Sequence, residues 1–123
     1  MNMSGFGSSD PIWQAALARL AEVTVAATTQ VPLAKLRARH RGQRSTALAR
    51  QTAMYLAHVA FGLTLTRVGI CFGRDRTTVR HACALIEDRR DDPALELGLS
   101  ALEAGLVALT RSLSPANPAE MRS

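Results

Sequence analysis

At 123 residues the chain is the size of one compact domain and leaves no room for a second independent core. Apolar residues make up 47% and aromatics 4%, with Ala and Leu dominant, which excludes wholesale disorder and favours helices over sheets. The net charge is +5 and segmental: ten basic residues against one acid from Lys35 to Arg80 give +9, while five arginines against nine acids elsewhere give −4, the pattern of one surface facing a polyanion.

Residues 1–9 are Gly/Ser-rich and are expected to be flexible. Asp10 followed by Pro11 marks a helix start, an N-cap carboxylate before a proline at the first helical position. The helix that follows carries Ile12, Ala16, Leu17, Leu20, Val23 and Ala27 on one stripe and ends near residues 28–30. Val31 and Pro32 form an extended link, because the residue before proline avoids the helical region. Leu33 to Arg39 reads as a short helix or turn with Leu33 and Leu36 inward.

Residues 40–44 (HRGQR) form a basic, glycine-containing loop. Ser45 or Thr46 can cap the next helix, over about 46–62, with Leu48, Met54, Tyr55, Ala57 and Val59 inward and Gly62 as its C-cap. Thr64 can cap a short helix from Leu65 to Phe72. A longer helix begins near Thr77 and runs to about Arg90. Asp91, Asp92 and Pro93 separate it from a last helix, over about 94–112, whose leucines 95, 99, 102, 106 and 109 share one face. That face is either core or a dimer seam, and it is too short for a sustained coiled coil. Residues 114–123 read as a flexible tail. The plan is all-α: about six helices in a helical domain spanning 10–113.

The stretch from Thr64 to Leu85 carries most of the functional information. It reads as short helix, tight turn, longer helix. Leu65, Val68 and Phe72 face Val79, Ala82 and Ile86, Gly69 permits close approach, and Gly73 supplies the turn. This is a helix-turn-helix pattern over about 64–90. Such a motif puts the start of its second helix in the major groove of DNA. Here that start offers Arg74, Asp75, Arg76, Thr77 and Thr78, whose side chains suit guanine, cytosine, thymine and phosphate. Asp75 is either a base reader or the helix N-cap, and the residues alone leave both open. A pair of core helices joined by a solvated arginine turn would show the same spacing.

Residues 49–57 (ARQTAMYLA) and 65–82 (LTRVGICFGRDRTTVRHA) carry a resemblance. They are similar to the P-R-Q-x-A-M-Y-L-A helix and the L-x-x-I-G-x-x-F-G-G-R-D-H-T-T-V-x-H-A signature of the C-terminal domain of the bacterial replication initiator DnaA. The likeness spans roughly residues 20–90. It implies a bundle of the Trp-repressor-like kind and duplex DNA as partner. It implies base contacts from Asp75, Arg76 and Thr77, with Thr78 and Arg80 near the backbone. His58 stands where the family has a phosphate-touching lysine. Arg41 takes the place of the minor-groove arginine, with Arg44 in reserve. Arg50 and Thr64 are placed with them on the DNA-facing surface. The sequence departs from the family in having a single Gly73 for Gly-Gly and Arg76 for His.

No G-x-x-x-x-G-K-[ST] loop occurs, so no nucleotide cofactor and no ATP-driven assembly are expected. His40, His58 and His81 lack partners for catalysis, and His81 is expected to pack in the core or bond the backbone. Cys71 and Cys83 fall on helices as mainly buried thiols. They have no metal-ligand spacing, so no metal site is expected. No apolar run approaches the roughly 20 residues of a membrane span, and the N-terminus does not read as a signal peptide. The expected setting is cytoplasmic and nucleoid-associated, with regulation of transcription or of replication at DnaA-box-like sites. The competing reading is a helical adaptor that binds a protein, or a second copy, through the 95–109 face. A non-specific nucleoid or RNA binder is a third, disfavoured by the scarcity of aromatics for stacking.

Overall fold

The computed structural model describes residues 10–38 and 43–113. The expectations for residues 1–9 and 114–123, and for Arg41, lie outside the described residues. Six helices follow one another: α1 (Pro11–Thr29), α2 (Leu33–Arg37), α3 (Arg44–Phe61), α4 (Leu65–Phe72), α5 (Arg76–Arg89) and α6 (Pro93–Leu113). The all-α bundle expected from the sequence is what forms.

Local chemistry sets most of the helix ends. The Asp10 carboxylate accepts from the Ile12 amide at 3.0 Å, with Pro11 in the first turn. Helix α1 stops at Gln30, which adopts φ 60°. Gly62 and Gly73 end α3 and α4 at φ 70° and 67°. The start of α3 differs from expectation. The helix begins at Arg44 with Gln43 as an N-cap that makes no side-chain bond, and Thr46 is buried inside it. Its hydroxyl is thus a core group of the first turn and not a cap.

Helix α3 is the hub and packs against all five other helices. Ala49, Ala53 and Ala57 recur every four residues on it, and with Met54, Tyr55 and Leu56 they are wholly buried. Their small size lets the neighbouring helices come close. The inward face of α1 is Leu17, Ala18, Ala21 and Val25. That face is rotated from the expected stripe, for Ile12 is 82% exposed and Val23 44%. The cause is composition: α1 is apolar on most sides, and the packing with α3 selects the alanines that allow the closest approach.

Helix α6 closes the bundle with Leu99 and Leu106 buried and Leu95 and Leu102 packed behind them. The expected stripe thus serves mainly as core, except for Leu109, which is 43% exposed. By length and composition alone α6 could cross a membrane, contrary to the expectation from apolar runs. Its polar residues, however, are engaged inside this fold. Arg90, at the end of α5, donates to Glu96, to Ser100 (2.9 Å), to Glu103 (3.1 Å) and to the Tyr55 hydroxyl (2.8 Å). Tyr55 in turn donates to Glu87 at 2.7 Å. One guanidinium therefore ties α3, α5 and α6 together. Its bonds hold the Glu96 carboxyl down at about 2 and raise Arg90 above its ordinary value.

Candidate nucleic-acid interface

Helices α4 and α5 cross tightly, with Val68 and Gly69 against Val79, Ala82 and Ile86. The closeness of the turn depends on Gly69. A Cβ at that position would lie 2.5 Å from the Arg74 carbonyl oxygen, and the Gly69 carbonyl itself accepts from the Arg74 amide at 2.9 Å. Gly73 adds the left-handed residue, so a single glycine suffices to reverse the chain. Asp75 then caps α5, its carboxylate accepting from the Thr78 amide at 2.8 Å. That bond, with the Thr78 hydroxyl, holds the Asp75 carboxyl below the usual carboxylate range. Of the two roles open to Asp75, the cap is the one built into the fold. It also occupies the Thr78 amide, leaving fewer free amides at the helix start than the sequence suggests.

Beyond the cap, Arg76, Thr77, Thr78 and Arg80 are all exposed. His81 is exposed too, which corrects the expectation that it packs in the core. It follows Thr77 by four residues and Thr78 by three, and so shares their face. That spacing was the signal available in the sequence. Between α3 and α5 runs a groove lined by Arg50, Gln51, Arg74, Thr78 and His81. Gln51 is a groove residue that sequence reasoning did not single out as functional; it lies one residue after Arg50, on the motif helix.

The remaining candidates are dispersed. Arg44 is exposed in the first turn of α3. Thr64 is exposed and caps α4, accepting from the Arg67 amide at 3.0 Å. His58 sits in the last turn of α3, its Nδ1 lying 2.6 Å from the Leu63 carbonyl. A carbonyl only accepts, so Nδ1 carries the proton there, and Nε2 can donate to a phosphate only as imidazolium. Arg50 and Arg74, both partly buried, spend donors on backbone carbonyls. Arg50 donates to the Leu36 carbonyl at 2.8 Å and the Lys35 carbonyl at 3.0 Å, and Arg74 to the Ala38 carbonyl at 3.0 Å. Burial, then the neighbouring charge of Arg74, lowers the Arg50 pKa. Cys71 and Cys83 are half-buried and reduced, and burial raises both thiols. Among the described residues no three His, Cys, Asp or Glu side chains are grouped to hold a metal.

A short helix, a glycine turn and a capped second helix with an exposed basic start define a helix-turn-helix protein. The family model for the bacterial dnaA protein helix-turn-helix matches residues 22–86, more than half of the chain, and the chain belongs to that family. Among its relatives is the chromosomal replication initiator protein DnaA of Laribacter hongkongensis, 38% identical over 82 residues, which are 65% of this chain and 17% of the relative. DnaA 2 of Chlamydia trachomatis is 38% identical over 72 residues, 58% of this chain and 16% of the relative. The DnaA of Bifidobacterium animalis subsp. lactis is 48% identical over 50 residues, 40% of this chain and 9% of the relative. The matched region is therefore less than a fifth of each of these relatives' length.

Proposed function

We propose that this protein binds duplex DNA with sequence preference, through the start of α5 set in the major groove. The observation that carries the reading is the exposed turn Arg76, Thr77, Thr78 and Arg80, raised on a tightly packed glycine turn beside a basic groove. Arg76 and Thr77 supply base contacts. The Asp75 oxygen not used in the cap accepts from a cytosine amino group. Thr78 and Arg80 lie along the backbone, as do His58 and Thr64 at the far end of α3. Arg41, or Arg44 three residues on in its place, enters the minor groove, where an A·T-rich step favours arginine.

Electrostatics supports the same placement. Arg44 stands at the first helical position of α3, which has no acid in its first turn and no side-chain cap, whereas at α5 the Asp75 carboxylate already serves the helix start. A cation at the positive end of a helix dipole costs stability, and a phosphate at the α3 start relieves it. The cellular role that follows is regulation of transcription or replication at DnaA-box-like sites in a bacterial cytoplasm, on the nucleoid. The test compares binding to a DnaA-box duplex and to a scrambled one at physiological salt. Tighter binding to the box supports the reading, and equal affinities overturn it.

One observation favours a second reading, an adaptor or homodimer. The α1–α6 seam is an apolar groove lined by Trp13, Ala16, Leu20 and Val23, flanked by exposed Ile12 and Leu109. Absence of binding to any duplex at low salt, together with a dimer in light scattering that Leu109→Glu abolishes, would replace the first reading with this one.

A further inference from the structure

Helix α2 is five residues long, and Leu36 is its one fully buried side chain. Burial of that size, on the order of 2 kcal/mol, is little to hold a helix end in place. Its fastening is instead polar and comes from three directions. On one side Arg37 bonds Glu22 of α1 at 3.1 Å. On another Arg50 of α3 grips two successive carbonyls, those of Lys35 and Leu36. The third tie is the Arg74 bond to the Ala38 carbonyl, and Arg74 lies between the left-handed Gly73 and the α5 cap Asp75. Ala38 is thus within one side chain's reach of the α5 start. Residue 39 follows directly, and with it the basic segment Arg39, His40, Arg41 and Gly42.

Two guanidiniums close enough to perturb each other would drift apart unless each had acceptors. Three backbone carbonyls supply them, those of Lys35 and Leu36 in α2 and that of Ala38 just beyond it. Each bond spans 14 to 36 residues of sequence, so the arrangement belongs to the tertiary fold and not to a local turn. We infer that Arg50 and Arg74 are positioning residues, which fasten the end of α2, and so the launch point of the basic segment, to the turn ahead of α5. The end of α2 and the turn ahead of α5 are then held in fixed register before DNA arrives, and binding need not order one against the other. This rests on the DNA-binding function proposed above and assigns these two arginines a role other than phosphate contact.

Two measurements on the full chain test it. Hydrogen exchange on the free protein reads the brace without DNA. Arg74→Ala is expected to speed exchange in residues 36–38 and 43–46 and to leave α6 unchanged. Unaltered exchange at these residues, or protection lost evenly as far as α6, would overturn the brace. Arg74→Lys, which keeps one donor, is expected to restore part of the protection and guards against a variant that simply unfolds. Fluorescence anisotropy with a duplex then reads coupling. Arg74→Ala and the loop variant Arg39→Ala/Arg41→Ala are each expected to weaken binding about tenfold, the scale of one lost charged contact. Combined, they are expected to weaken it about tenfold in total, no more than either alone, and not the roughly hundredfold of independent sites. A fully multiplicative loss would mean that Arg74 touches DNA on its own account, and would overturn the inference. If the unaltered protein binds no duplex at low salt, the function proposed above fails, while the exchange result still decides whether the brace exists.

Discussion

Two glycines in the turn are required for different reasons, and substitution separates them. Gly69 has no room: a methyl would meet the Arg74 carbonyl oxygen, a backbone atom that cannot swing away. Gly73 has open space but sits at φ 67°. Gly69→Ala is expected to destabilise by about 3 kcal/mol, at the upper end of overpacking costs. Gly73→Ala is expected to cost about 1 kcal/mol, the left-handed penalty alone. Urea denaturation checks both, and the reverse order of severity would contradict the geometry. Asp75 allows a similar separation. Asp75→Asn keeps the cap acceptor and loses the charge, whereas Asp75→Ala loses both. The alanine variant is expected to melt at a lower temperature and the asparagine variant close to the unaltered protein. If Asp75 also accepts from a base, Asp75→Asn alters which duplex is preferred while melting near the unaltered temperature.

Individual elements carry their own consequences. Helix α1 ends on a non-glycine residue in the left-handed region, Gln30, which is exposed. Gln30→Gly removes that strain and is expected to stabilise the fold by about 0.5–1 kcal/mol, read as a rise in Tm. The join of α5 and α6 has a pH signature. Bonds from Arg90 and Ser100 depress the Glu96 carboxyl from 4.5 to about 2. A carboxylate depressed in the folded state binds its proton less readily than in the unfolded chain. Its contribution is therefore complete above pH 4.5 and disappears as pH falls toward 2. Glu96→Gln is expected to flatten that part of the stability profile, measured by urea melts across the window, while leaving the neutral region parallel.

For the whole molecule the uneven charge is the governing quantity. A segment of +9 from Lys35 to Arg80 against −4 elsewhere concentrates the positive charge in the stretch that contains the helix-turn-helix. Binding to duplex is expected to weaken steeply with salt, because each neutralised phosphate releases counterions. Arg80→Ala, on the exposed side of α5, is expected to reduce the slope of log K against log salt by about 1. A slope that stays unchanged would place Arg80 off the backbone.

Much of this architecture is readable residue by residue. The caps at Asp10 and Thr64 and the glycines at 62, 69 and 73 are legible because each answers a local demand: an unpaired amide, a left-handed φ, a close approach; for Asp75 the residues leave two roles open, and the fold makes it a cap. The turn and the exposed start of α5 follow from them, and the motif string identifies the family for the same reason. What a helix faces is a different matter. The α1 stripe was misplaced because an Ala-rich helix is apolar on most sides, and only the approach of α3 selects Ala18 and Ala21. Ser45 and Thr46 both read as caps because hydroxyls cap helices, yet the helix starts ahead of them at Arg44 and packing draws Thr46 inside. His81 reads as core by residue type, although its spacing from Thr77 and Thr78 puts it on their exposed face.

The chain's own order of residues therefore determined the helices, their ends, the glycine turn and the sign of the charged face, since these depend on neighbours a few positions apart. Only the tertiary structure decided where Arg50, Arg74 and Arg90 spend their hydrogen bonds. A guanidinium at the end of a long side chain can reach solvent, phosphate or a carbonyl dozens of residues away, and the fold alone determines which of these lies within its reach.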